Sequence, residues 1–302
     1  MSTTFRTAVV RTPGGPGSIE IIDVPVTEPG PGQVRVQIAG AAINPVDLGV
    51  VAGAFHALGA INQPHHTGLG WDFAGTVTAT GPGVELPAGT RVAGVVGGVD
   101  RDFGAYAEQV VVPVDDIAPV PDGMELTAAA TVPLNSLTAA QLVDLLGAGE
   151  GRSLLVTGAA GAVGGYVVPL AQERGWRVTG LARAQDEEFV RGLGAEFTTR
   201  ATPRWDAVAD AAAFQDEGIA LVRDGGLFIG VKPHTVPARQ RGITVRVVSV
   251  RPDGARLAGL LAAAAEGRLP ARVHAVVPLG EVASAHRAVA KGGVRGKYVL
   301  QP

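Results

Sequence analysis

The feature that most restricts the fold of this chain is the run Leu154-Leu155-Val156-Thr157-Gly158-Ala159-Ala160-Gly161-Ala162-Val163-Gly164. In it, glycines recur every third residue where an apolar strand gives way to a helix. Glycine admits the tight turn and the close backbone approach, and the N–H groups and dipole of the following helix favour a pyrophosphate. A glycine triplet alone also suits a turn that holds nothing, so its setting decides. Strand 153–157 leads into a helix over 163–174, strand 177–182, a helix over 186–193, strand 207–210 and strand 226–231. That alternation predicts a parallel sheet with helices on both faces. A ribose with a free 2′-hydroxyl calls for an acid about 20 residues beyond the turn, but the second strand ends Gly180-Leu181-Ala182-Arg183. Arg183 suits a 2′-phosphate, so NADPH is expected ahead of NADH; the alternative is an ordinary solvated arginine.

Ahead of this section the pattern is different. Short β-branched runs at 8–10, 19–24, 34–42, 74–80, 91–96 and 105–112 are separated by glycine and proline, which predicts a β-rich, barrel-like unit. Residues 127–146, rich in Ala and Leu, read as a linking helix, so a boundary is expected near 122. Another β-branched run spans 243–250, a helix is expected over 254–266, and the tail, 272–300, has strand, helix and strand character. The tail resembles the first section in style, which suggests that the nucleotide unit is inserted into the other domain. The expected division is 1–122 plus 256–302 against 123–255.

Composition removes whole classes of chemistry. The 302 residues contain no cysteine, so disulfides, thiolate-bound metals and thiol nucleophiles are out of reach, and redox work calls for an organic cofactor. A net charge of -3 gives no basic excess for nucleic acid. No stretch approaches the roughly 20 apolar residues of a membrane span, and a cytoplasmic protein is expected. A Gly-x-Ser-x-Gly elbow, a Walker loop and His-Glu-x-x-His are absent. A short-chain reductase would carry its glycine loop near the N-terminus and a lysine four residues after a tyrosine, and none of Tyr106, Tyr166 or Tyr298 has one. The adjacent His65 and His66 point to opposite sides of an extended segment and lack further metal ligands.

Several stretches together are far more specific: Asn44-Pro45-Val46-Asp47, Gly70-Trp71-Asp72-Phe73-Ala74-Gly75, Gly89-Thr90-Arg91-Val92, Gly104-Ala105-Tyr106-Ala107-Glu108, Ala129-Ala130-Thr131-Val132-Pro133 and Gly296-Lys297-Tyr298-Val299-Leu300. With them, the whole chain resembles the medium-chain dehydrogenases/reductases, in particular the zinc-free quinone oxidoreductase (zeta-crystallin-like) branch. The resemblance implies an α/β fold in which a doubly wound Rossmann sheet is inserted into a β-rich GroES-like catalytic domain. Zinc-dependent members hold their catalytic metal with a Cys, a His and a Cys at positions that correspond to Asn44, Trp71 and Leu134. None of these residues is a zinc ligand, so no metal site is expected.

Carried over residue by residue, the resemblance implies that Gly158, Ala159, Gly161, Ala162, Val163 and Gly164 line the pyrophosphate and that Arg183 holds the 2′-phosphate. Thr138 approaches the nicotinamide, and Gly230, Val231, Ser249, Arg251 and Lys297 match positions near it. Asn44 and Asp47 match the active-site motif, with the Asn44 amide as the candidate donor to a substrate carbonyl or to the cofactor. Phe55, Trp71 and Asn135 are expected to shape the substrate pocket. Phe55 stands where relatives often carry a tyrosine, which leaves solvent as the proton source. The implied activity is NADPH-dependent, zinc-independent hydride transfer to a quinone or an α,β-unsaturated carbonyl. Two alternatives stay open, a tailoring enoyl reductase of a polyketide-like or terpenoid enone and a catalytically idle NADPH-binding protein. The run 243–250 resembles the strand through which family members pair edge to edge, so a homodimer is expected.

Overall fold

Val34, Val36 and Ile38 alternate inward along the strand Gln33–Ala42, and Gly40–Ala42 beyond them are wholly buried. A strand buried on both faces at one end sits in the interior of a sheet. In the computed structural model, which describes residues 3–302, it lies in the middle of a seven-stranded sheet. The order across that sheet is Val273–Pro278, Lys297–Gln301, Gln33–Ala42, Asp72–Thr80, Arg91–Val95, Ile117–Pro119, with Gln109–Pro113 also paired to Gln33–Ala42. A smaller sheet joins Ile19–Pro25, Thr4–Val10 and Thr67–Gly68. The tail enters the first sheet directly: Val299 and Leu300 pair antiparallel with Ala42 and Ala41.

The chain forms two units. One contains Met1–Leu134, Pro252–Gly267 and Ala271–Pro302; the other contains Asn135–Arg251 and Arg268–Pro270. The first divide falls at 134 rather than near 122, because the short helix Leu126–Ala129 packs on Gln33–Ala42 and Asp72–Thr80. The linking helix expected over 127–146 is two helices, Leu126–Ala129 and Pro133–Leu146. Pro133 accounts for the break, since its ring and missing N–H are tolerated in the first turn of a helix but not in its interior.

In the second unit six parallel strands run Glu196–Thr198, Arg177–Leu181, Ser153–Thr157, Trp205–Asp210, Val222–Gly230, Thr244–Val247. Numbered along the chain, this is the order 3-2-1-4-5-6 of the doubly wound Rossmann sheet, whose ligands lie beyond the carboxyl ends of the strands. The run expected over 243–250 is a strand only over Thr244–Val247. Among the described residues no helix is long and apolar enough to cross a membrane.

One contact fixes how the two central strands of the first sheet meet. A Cβ placed on Gly75 would lie 2.0 Å from the Gln37 carbonyl oxygen, and the ladder shifts register between Ile38 and Gly40 close by. Gly75→Ala is expected to lower the unfolding free energy by about 2–3 kcal/mol; a urea midpoint equal to that of the unaltered chain would contradict this packing.

Candidate active site

Sheet register gathers the polar side chains of the first unit. Ala42 lies opposite Asp72 on one neighbouring strand and Val299 on the other, which brings the strand starts at Asp72 and Lys297 beside the end of Gln33–Ala42. Two residues further on, Asn44 caps the helix Pro45–Val51, with Pro45 in its first turn. The Asn44 amide nitrogen donates to the Ala42 carbonyl at 3.1 Å and to Asp72 Oδ2 at 2.8 Å. Its Oδ1 accepts from the Lys297 ammonium. Lys297 Nζ also lies 3.5 Å from Asp72 Oδ2, and Asp72 Oδ1 accepts the Leu134 N–H at 2.6 Å. Asn44 and the Leu134 N–H, at two of the positions that the resemblance gives to zinc ligands in metal-dependent members, therefore meet a protein carboxylate, and Asn44 also meets an ammonium.

A second set of bonds braces this cluster. Asp47 Oδ2 accepts the Asn44 N–H and the Tyr106 hydroxyl, each at 2.9 Å, and its Oδ1 accepts the Gly70 N–H at 3.2 Å. Arg101 donates to the carbonyls of Gly70, Val96 and Gly98 while its guanidinium lies 5.0 Å over the Trp71 ring. Burial lifts the Asp47 carboxyl to about 6, held there against the Asn44 N–H, Arg101 and Tyr106, all of which favour the charged form. Burial also raises Asp72, against the attraction of Lys297, and lowers Lys297, against the attraction of Asp72. These are the opposed forces expected of a charge pair taken out of water.

The expectation for Asn44 is corrected by this geometry. Both of its amide protons are engaged inside the protein, so neither is directed at a substrate carbonyl. Asp47 is equally engaged, accepting three bonds at 1% exposure. Phe55 is half-buried in the first unit's apolar core, where it lies against Gly49. Tyr106 and Arg101 were not singled out by sequence reasoning. Their signal was Tyr106 within Gly104-Ala105-Tyr106-Ala107-Glu108, whereas nothing local marks Arg101.

The second unit carries the residues expected to hold the dinucleotide. Gly158 has φ +60, in the left-handed region, and a Cβ on Gly164 would stand 2.2 Å from the Gly158 carbonyl oxygen. Strand and helix thus approach more closely than any other residue would allow. Ahead of helix Gly164–Glu173, the N–H groups of Ala162 and Val163 make no backbone hydrogen bond among the described residues. Such first-turn donors with a positive helix dipole behind them suit the pyrophosphate of a dinucleotide. Thr157 Oγ1 donates to Asp210 Oδ1 at 2.7 Å, and Asp210 accepts the N–H groups of Phe214 and Gln215, which ties the two central strand ends together.

Arg183 follows the adjacent strand Arg177–Leu181 and is exposed, and the Ala182 N–H meets the Thr198 carbonyl at 3.1 Å. Arg200, missed by sequence reasoning, follows on that neighbouring segment, its backbone fixed by Thr198 Oγ1. Asn135 and Thr138 are buried on helix Pro133–Leu146. Gly230 ends its strand with Val231 next, Ser249 is exposed, and the Arg251 backbone exchanges two hydrogen bonds with the Gln141 side chain.

Comparison with known proteins matches residues 30–122 to the alcohol dehydrogenase GroES-like domain and 184–300 to the zinc-binding dehydrogenase family. Trans-enoyl reductase thnE of Trichoderma harzianum is 32% identical over 266 residues, 76% of this chain and 70% of that protein. The chain belongs to the medium-chain dehydrogenase/reductase superfamily. Among solved structures, the quinone oxidoreductase from Coxiella burnetii superposes with a TM-score of 0.90 at 25% identity, over 99% of both chains. A component of the pikromycin polyketide synthase, PikAII of Streptomyces venezuelae, is 34% identical over 245 residues, 72% of this chain. The chain spans only 6% of that synthase's length.

This medium-chain dehydrogenase/reductase keeps a neutral histidine behind its polar cluster. His286 is fully buried, packs edge-on to Tyr106 at 5.8 Å, and has no hydrogen-bond partner at either ring nitrogen. Burial pushes it from its ordinary 6.5 down to about 4. Between those values the folded form binds fewer protons than the unfolded one, so its contribution is complete above pH 6.5 and is lost as pH falls toward 4. Asp47, shifted upward, acts in the opposite sense over an overlapping range. Comparison with His286→Leu isolates the histidine: the unaltered chain should lose up to ~3 kcal/mol relative to the variant between pH 6.5 and 4. A difference in urea stability that does not change with pH would contradict this assignment.

Proposed function

We propose that the chain is an NADPH-dependent, zinc-independent reductase of quinones or α,β-unsaturated carbonyls. The observation that carries the reading is the Lys297 ammonium, held by Asn44 and Asp72; the resemblance puts a zinc ligand of metal-dependent members at Asn44. A fixed cation there supplies the positive charge that a Lewis acid would otherwise provide. The quinone oxidoreductase and the trans-enoyl reductase among the similar proteins support the acceptor class.

When bound, the reduced nicotinamide supplies the hydride. The protein's part is to bind, orient and stabilise charge. Gly158, Ala159, Gly161, Ala162, Val163 and Gly164 hold the pyrophosphate, and Arg183 with Arg200 holds the 2′-phosphate. Thr138, Gly230, Val231, Ser249 and Arg251 are assigned to the nicotinamide side, and Trp71, Asn135 and Phe55 to the acceptor's surroundings. Asn44 and Asp47 act by positioning: Asp47 fixes the backbone at Asn44 and Gly70, and Asn44 fixes Lys297.

The narrower reading, a tailoring enoyl reductase, is favoured by the likeness to thnE and to a polyketide synthase component. Strand Thr244–Val247 is paired on one side only among the described residues, so a second copy adding there would extend the sheet and cover its edge. Light scattering should accordingly give the dimer mass, and a single monomeric species would contradict that arrangement.

The purified chain should oxidise NADPH, followed at the nicotinamide absorbance band, in the presence of one class from a panel of quinones and linear or cyclic enones. Absence of oxidation with every member, despite NADPH binding, would favour the idle binding protein instead. Replacing Arg183 and Arg200 together by Ala should weaken NADPH roughly ten- to hundredfold and leave NADH unchanged, as loss of charged hydrogen bonds to a phosphate requires. Equal effects on both cofactors would place the 2′-phosphate elsewhere.

A further inference from the structure

Among the described residues, the group Asn44, Asp47, Asp72, Tyr106 and Lys297 contains one donor that is not used up, while beside it Trp71 Nε1 and Arg101 Nε also lack hydrogen-bond partners. Both amide protons of Asn44 are engaged, the Tyr106 hydroxyl donates to Asp47, and the two carboxylates only accept. Lys297 has three ammonium protons and two partners, Asn44 Oδ1 and, at a long 3.5 Å, Asp72 Oδ2. It is also the most exposed of the four buried residues Asn44, Asp47, Asp72 and Lys297, at 7% against 0–1% for the others. We propose that the Lys297 ammonium hydrogen-bonds the carbonyl oxygen of the acceptor and gives it a proton as reduction proceeds. This rests on the reductase reading and replaces solvent as the proton source.

The step balances. A bound reduced nicotinamide would supply the hydride and be the two-electron reductant, and the acceptor that takes the hydride would be left with an electron pair on its oxygen. An N–H bond of Lys297 breaks as the O–H bond forms, and the neutral amine regains its proton from water. Asp72 and Asp47 are the charged groups that act on Lys297, and both favour the ammonium. Burial acts more strongly in the other direction and lowers its hold on the proton, the direction a proton donor needs. Asn44 and Asp72 aim the ammonium, a positioning role that accounts for their engagement inside the protein.

The probe is 4-nitrophenol, whose phenolate resembles a half-reduced quinone and is distinguished from the phenol by its visible absorbance. The full chain should bind the phenolate and lower its apparent pKa by about one unit or more. Lys297→Met should bind it at least about tenfold more weakly. Lys297→Arg, which keeps the charge but does not release a proton, should retain phenolate binding and lose roughly a hundredfold in turnover. Phenolate binding by Lys297→Met equal to that of the unaltered chain, or no phenolate binding by the unaltered chain, overturns the proposal. Should Lys297→Met not fold, undiminished turnover by Lys297→Arg overturns the proton transfer. A chain that binds phenolate through Lys297 yet reduces no acceptor sinks the reductase reading and leaves the anion site standing. An active chain whose turnover survives Lys297→Met sinks the lysine's role alone.

Discussion

The carboxylate of Asp72 sits in the first unit with no exposure, and three segments donate hydrogen bonds that offset the cost of burying its charge. The Leu134 N–H, the Asn44 amide and the Lys297 ammonium come from the start of a helix, the cap of another and the first residue of the last strand. Removing one member of a buried pair of this kind leaves a charge without a counterpart, typically at a cost of about 3–5 kcal/mol. The pair therefore couples the sheet register to the chemistry. If Ala42 were not opposite both Asp72 and Val299, the lysine and the carboxylate would not meet.

The Asp47 network works one layer further out. Its carboxylate ties the backbone of Asn44 to that of Gly70, and Arg101 clamps the far side of Gly70 while covering the Trp71 ring. The residues flanking Asp72 are thereby fixed from two directions, the support a preorganised site needs. In the second unit the corresponding device is Asp210, which accepts from Thr157 and from two backbone N–H groups. There too a buried carboxylate holds the ends of neighbouring strands in register, beside the glycine turn.

Much of this was legible in the sequence because local rules carried it. The glycine turn from Gly158 to Gly164 and the β-α alternation around it follow from turn geometry and strand periodicity. The sheet of the first unit was legible as strands but not as an order, since pairing of Lys297–Gln301 with Gln33–Ala42 joins residues more than 250 positions apart. The resemblance implies that Asn44 donates to a substrate carbonyl or to the cofactor, whereas its amide donates to Ala42 and Asp72. Its partners Asp72 and Lys297 are set by tertiary register, which no local pattern expresses. Pro133 shows the converse: the break it makes between Leu126–Ala129 and Pro133–Leu146 was readable from proline geometry, but the Ala/Leu periodicity on both sides suggested one helix.

Hydride transfer from a nicotinamide to a conjugated acceptor without a metal can be followed by isotope transfer in metal-free buffer. NADPH carrying deuterium at C4 of the nicotinamide, on either face in turn, is supplied with an enone that the chain turns over. One deuterium should appear at the β-carbon of the product from one of the two labelled cofactors, with a solvent-derived hydrogen completing the reduction. A product with no deuterium from either cofactor, or turnover that appears only when zinc is added, would contradict metal-free hydride transfer.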